Sequence, residues 1–248
     1  LVEGDSDYIA FPHIAETLNT AWNCRSCSVT FVRVGGKGSL ARYRSFFARF
    51  DVPVFVITDL DTVDDDFDKL DPTDEAKALR ADLIQKADAA NAAAGVAPVV
   101  NAAAIKKAQA KPELLALWEN VCAARTLFDA DKSKMPELEA AVSAFFAWEK
   151  KSIRRDCIRK AEQADVKEAK VALIWELRKK GVFVLENGAL DDYYPEAVTG
   201  ADKPSLAQSF RKLYTTREQL LALSPTQTCP TTNKVCTEFE HISSAIFT

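Results

Sequence analysis

What most constrains this chain is the alternation, over its first 70 residues, of short β-rich apolar runs with stretches of helical period. Leu1-Val2 is followed by residues 7–21, where Ile9, Phe11, Ile14, Leu18 and Trp22 recur at spacings near 3.6 and predict a helix that Asp5 or Ser6 caps. Residues 28–34 (SVTFVRV) read as a strand ended by Gly35-Gly36. Residues 39–50 read as a helix carrying Leu40, Tyr43, Phe46 and Phe47 inward. The run 53–58 (PVFVIT) is unbroken by polar residues until its end, as in strands buried on both faces. A βαβαβ succession of this kind folds as a parallel sheet with right-handed crossovers.

From about residue 72 to 166 Ala, Lys and Glu take over, and the only β-rich run is the short 96–100. Helices are expected at 73–93, 101–109, 111–128 and 135–163. Pro136 opens the last, and Leu138, Val142, Phe145, Phe146 and Trp148 mark its buried side. After a helix at 167–180, the β signal returns at 181–185 (GVFVL). A helical stretch at 205–223, a Pro/Thr-rich loop (SPTQTCPTTN) and a short helix near 238–246 complete the chain. The expected fold is α/β, a mostly parallel sheet flanked by helices and interrupted by a largely helical insertion. Its parts are residues 1–70, the insertion 71–166, and a second part of the first domain at 167–248.

The 248 residues, 48% of them hydrophobic, are enough for a real core. No apolar run reaches the roughly 18 residues of a membrane span, and the opening residues lack the succession of a signal peptide. A soluble, cytoplasmic protein without a membrane partner is therefore expected. The chain opens without Met, as if its first strand were cut, which reads as a fragment of something longer. Six scattered cysteines do not form a small disulfide framework, and Cys24-x-x-Cys27 has no second pair at zinc spacing. With a net charge of −4, any nucleic-acid contact must be local rather than a general basic coat.

The acids fall where such a sheet puts its chemistry. Glu3, with Asp5 and Asp7 behind it, ends the first strand, while Asp59 and Asp61 (TDLDT) end the third. The C-terminal ends of adjacent parallel strands open on one edge. Two residues apart on a strand, Asp59 and Asp61 are expected to project the same way. Carboxylates converging on one edge repel one another unless cations neutralise them, and hard oxygen donors suit Mg²⁺ or Mn²⁺.

The pairing of Val2-Glu3-Gly4 with Asp59-Leu60-Asp61 resembles the Toprim domain, the topoisomerase-primase metal-binding module. Residues 1–8 (LVEGDSDY) and 183–195 (FVLENGALDDYYP) are similar to the Toprim region of the overcoming lysogenization defect (OLD) nucleases. The resemblance covers about residues 1–70 and 180–215. It implies a Toprim-type sheet, a metal-dependent DNA endonuclease, an ABC-type ATPase domain N-terminal to it in the full-length protein, and a homodimer there. The family usually carries a Glu after its last strand, where this sequence has Asp191.

Phosphodiester hydrolysis with two metal ions needs a carboxylate cluster and little else. Asp59 and Asp61, with Glu3 nearby, are the candidate ligands of one ion, and Asp7 with Asp191 those of the other. Glu3 could instead act as general base. Lys203, before Pro204 as in OLD-like sequences, and Lys37 in GGKGS are candidates for the cation that steadies the phosphate. On the predicted helix 135–163, Lys151, Arg155 and Arg159 form a stripe able to track DNA phosphates. Arg33, Arg42, Arg44 and Arg49 lie nearer the acids. The alternatives are a primase or topoisomerase, for which Tyr193 or Tyr194 would be the nucleophile, and a non-catalytic DNA-binding module.

Overall fold

A computed structural model describes residues 1–96, 112–229 and 233–248; the expected helix at 101–109 and most of the run 96–100 lie outside them. The chain divides into two compact units, Leu1–Leu83 with Lys167–Thr248, and Ile84–Val166.

The first unit is built on a small parallel sheet. β1 (Val56–Thr58) pairs in parallel with β2 (Val182–Val184) in the register Val56 to Val182. Val2 forms parallel bridges with Ile57 on one side and Arg33 on the other. The backbone bonds Ile57 N to Leu1 O (2.9 Å), Val2 N to Val32 O (2.9 Å) and Val34 N to Val2 O (3.0 Å) carry the ladder across. The order across the sheet is therefore Arg33, Val2, β1, β2. The expected strand at 28–34 is reduced to a bridge at Arg33, which pairs with Val2.

Helix α1 (Asp5–Leu18) buries Ala10, Phe11, Ile14 and Leu18 in the core beside Val2, Ile57 and Phe183. α2 (Leu40–Ala48) buries Leu40 and half-buries Tyr43 and Phe47. Phe46, expected inward, is 53% exposed: at 100° per residue the inward stripe of so short a helix is filled by Leu40, Tyr43 and Phe47. α3 (Asp74–Ala93) leads into the second unit. There α4 (Pro112–Ala130) and α5 (Met135–Lys160) bury Leu114 against Phe145, with Trp118 5.6 Å from the Phe145 ring. Leu138 and Val142 are half-buried, and the side chains of Phe146 and Trp148 lie outside the described residues. Arg154 grips Asp88 through Nε and Nη2, both at 2.8 Å.

α6 (Ala164–Arg178) returns to the sheet with Leu173, Ile174 and Leu177 buried. The expected helix at 205–223 is two helices, α7 (Lys203–Leu213) and α8 (Arg217–Leu221), because Thr216 restarts the chain as an N-cap accepting from Gln219 N. The Pro/Thr-rich segment is not only a loop. It contains β3 (Thr226–Thr228), antiparallel to β4 (Val235–Thr237), and runs directly into α9 (Glu238–Phe247). None of the described helices is long and apolar enough to cross a membrane.

Candidate metal centre

Each acid is delivered by the way its strand ends. After Val2 the backbone turns at Glu3-Gly4 and enters α1, whose first turn carries Asp5 and Asp7. There the helix dipole and free N–H groups favour negative charge. Asp7 is buried, and its Oδ2 accepts from Gly4 N at 3.0 Å, which fixes it beneath Glu3. β1 ends at Thr58; Asp59 is still extended, but Asp61 lies in a 3₁₀ turn, Leu60–Val63. Strand alternation therefore does not set the direction of Asp61. The turn is held instead by Leu60 N to Gly188 O (3.0 Å) and by a buried contact of 2.7 Å between the Thr58 and Thr62 hydroxyls. Asp191 sits in a second 3₁₀ turn, Leu190–Tyr193, beyond β2. Lys203 starts α7, one residue after the Asp202 cap that accepts from Ser205 N.

These ends meet in one cavity of about 290 Å³, lined by Glu3, Asp7, Asp59, Asp191 and Lys203 together with Asp5, Ser6 and Pro204. Asp61 stands at its side. The acids feel one another. Burial first, then Asp7, Glu3 and Asp61, push the Asp59 carboxyl up to about 8, with Lys203 opposing. Burial also raises Glu3, against Lys37, and raises Asp7, against the Gly4 N–H bond. The two lysines are drawn in as counter-charges: Lys203 Nζ is 2.9 Å from Asp191 Oδ2, and Lys37 Nζ pairs with Asp61 Oδ1. Glu3 Oε2 and Asp191 Oδ1 are buried without a hydrogen-bond partner.

A cavity of hard oxygen donors, two of them buried and unsatisfied, with carboxyls held above their usual range by burial and then by one another, is suited to divalent cations. As they stand, no three Asp, Glu, His or Cys side chains among the described residues are drawn tightly enough together to close on a single ion. The acids share a cavity rather than a point, with the lysines between them.

Residues 1–61 match the family described as overcoming lysogenization defect protein-like, TOPRIM domain. The chain carries an OLD-like Toprim region. Toprim domains are nuclease- and primase-type modules that bind divalent metal ions, and the matched stretch holds Glu3, Asp7, Asp59 and Asp61. No curated protein and no solved structure matches the chain.

The remaining candidates are distributed differently. Lys37, a candidate DNA contact as well as a candidate cation for the phosphate, is turned to Asp61, its side chain only 13% exposed. Lys151, Arg155 and Arg159 lie on α5 in the second unit, where Arg159 reaches Asp156 at 3.3 Å. Of the arginines near the acids, Arg33 pairs with Asp5, and Arg44 donates to Leu70 O (2.6 Å) and Lys180 O (3.2 Å).

A set of residues without a motif supports the Asp191 turn from below. Glu238 is fully buried, and its carboxylate accepts from the Tyr193 hydroxyl (2.5 Å) and from Glu186 N (2.9 Å). Burial, then Glu186, raises it to about 7, while the Tyr193 bond and Arg178 oppose. Arg178 Nη2 lies 3.5 Å from Glu238, and its Nη1 donates to Gln227, which in turn donates to Glu186. The one local signal, Thr237-x-x-Glu240, marks a helix start and says nothing of Glu238 beside it. Glu186, two residues past the end of β2, is spent on this network, and Asp191 is the acid that reaches the cavity.

Proposed function

We propose that this Toprim region is a metal-dependent DNA endonuclease, nicking or cleaving by two-metal chemistry, within a larger ATPase-nuclease protein. The observation that carries the reading is the single cavity at the C-terminal edge of a parallel sheet, where Glu3, Asp7, Asp59 and Asp191 converge with Lys203. Asp59, Asp61 and Glu3 would hold one Mg²⁺ or Mn²⁺ ion, and Asp7 with Asp191 the other. Bound there, the ions supply an activated water and charge neutralisation at the scissile phosphate. Lys203, whose side chain is 63% exposed, can leave Asp191 for a phosphate oxygen and hold it over the acids. Lys37 does the same for Asp61 on the other side. Glu3, with one oxygen free of hydrogen bonds and its carboxyl raised by burial, is placed to hold a proton during attack.

A tyrosyl mechanism fits less well. The Tyr193 hydroxyl is committed to Glu238, and that of Tyr194 is buried with its ionisation opposed by burial and by Asp191 and Asp7. The N-terminal ATPase domain and the homodimer of the full-length protein rest on the OLD resemblance. The test is supercoiled plasmid with Mg²⁺, Mn²⁺ or EDTA, using the wild type, Asp59→Ala and Glu3→Ala with folding verified. Metal-dependent nicking lost in both variants supports the reading. Nicking that survives in both, or none with any metal, overturns it for this chain.

A further inference from the structure

The outer face of α2 and the turn that follows it, residues 49–51, form an unusual surface. Phe46 and Phe50 are 53% and 63% exposed, and their rings lie 5.3 Å apart. Single exposed apolar residues need no explanation, but two adjacent phenylalanines held open to water do. Arg42 and Arg49 flank them at helical spacing, both exposed, and neither pairs with a carboxylate among the described residues. With Ser39, Tyr43, Ser45 and Phe46 they line a shallow groove of about 530 Å³ that contains no acid. The contrast with the arginines nearby is informative. Arg33 and Arg44 are committed to Asp5 and to backbone carbonyls, whereas Arg42 and Arg49 are left free beside aromatic rings. The groove is also tied to the acids through the chain: Ser39, which lines it, closes the 3₁₀ turn Lys37–Ser39, and Lys37 in that turn pairs with Asp61.

The geometry points to α2 as a platform for a single nucleic-acid strand, with Phe46 and Phe50 stacking on bases, Arg42 and Arg49 on phosphates, and the strand passing Lys37 toward the acids. Sequence-tolerant binding of single strands uses this combination, because every base has a stacking face and every nucleotide a phosphate. Intact duplex hides its base faces, so a strand already separated or frayed is the form this face selects. The inference deepens the nuclease reading by naming the form of DNA presented to the site, and it rests on that reading for the direction of the strand.

The test is binding in EDTA, where cleavage is silent: fluorescence anisotropy of the 248-residue chain with a labelled single-stranded 20-mer and with the same sequence as duplex. The wild type is expected to bind the single strand the more tightly. Phe46→Ala/Phe50→Ala should weaken that binding about tenfold or more, with little change for duplex. Arg42→Gln/Arg49→Gln should flatten the dependence of log affinity on log salt by about 1.4, two phosphate contacts of a single strand. All four side chains are exposed, so folding is expected to survive, and circular dichroism checks it. Equal affinity for both DNA forms, or variants that bind the single strand like the wild type, would overturn the proposal. So would a phenylalanine variant that only abolishes self-association in sedimentation, which would make the face a protein interface. Because Asp59→Ala is expected to keep this binding while losing nicking, failure of the nuclease reading would show separately.

Discussion

Replacing Asp59 by Asn should make the metal-free protein more stable, increasingly so as pH rises from about 4 to 8. The Asp59 carboxyl ordinarily titrates near 3.8, as it will in the unfolded chain, whereas burial and the neighbouring acids push it up to about 8 in the fold. Between those values the folded protein holds a proton that the unfolded chain has released. Stability therefore falls as pH rises, by about 1.4 kcal/mol per unit, or about 6 kcal/mol over the window as an upper bound. Water entering the open cavity and the shift of Lys203 toward the new charge offset part of this, leaving roughly 2–3 kcal/mol. Asn keeps the shape and never ionises. Urea denaturation in EDTA should therefore show Asp59→Asn equal to the wild type below about pH 4, where both states of the wild type hold the proton, and more stable by that amount at pH 8, with the gap opening steadily between. With saturating Mn²⁺ the gap should close, since a ligand at a hundred times its dissociation constant stabilises the wild type by about 2.7 kcal/mol. An Asn variant less stable than wild type at pH 8 in EDTA would refute the argument, because Asp59 would then be a structural carboxylate rather than one held against its own repulsion.

Lys203→Met should abolish most nicking, by a hundredfold or more if the lysine steadies the phosphate, yet change stability by only about 1 kcal/mol because the lysine end of the ion pair is exposed; plasmid assays and melts separate the two. Tyr193→Phe leaves Glu238 and Asn187 N without their shared hydroxyl and should cost about 1–3 kcal/mol in chemical denaturation. It should also weaken Mn²⁺ binding by calorimetry, since the Asp191 turn loses its anchor. Glu238→Ala strands buried Arg178 and should cost about 3–5 kcal/mol, whereas Glu238→Gln should cost far less near pH 8, where the native carboxylate is ionised in a site that raises it to about 7.

Much of the fold was legible because its signals are local. The helical period of Phe11, Ile14 and Leu18 and the apolar runs before Asp59 and after Gly181 each sit within one element, and each appears where expected. The strand 226–228 was hidden because its only inward residue is Gln227, buried by a partner 49 residues away. The break between α7 and α8 did leave a mark, the Thr216-x-x-Gln219 box, inside a stretch otherwise periodic enough to read as one helix. Phe46 misled because hydrophobicity was taken for burial on a helix whose inward stripe was already full.

The sequence by itself determined that acids would stand at strand ends, since a strand's end and the residue after it are adjacent in the chain. Only the tertiary structure decided how those acids meet and what neutralises each. Asp191 rather than Glu186 reaches Glu3, Asp7 and Asp59, Lys37 and Lys203 come in as their counter-charges, and Glu238 closes beneath Tyr193. Those distances join segments up to about two hundred residues apart, and packing sets them: the burial that brings the carboxylates together is the same burial that raises their affinity for protons and for cations.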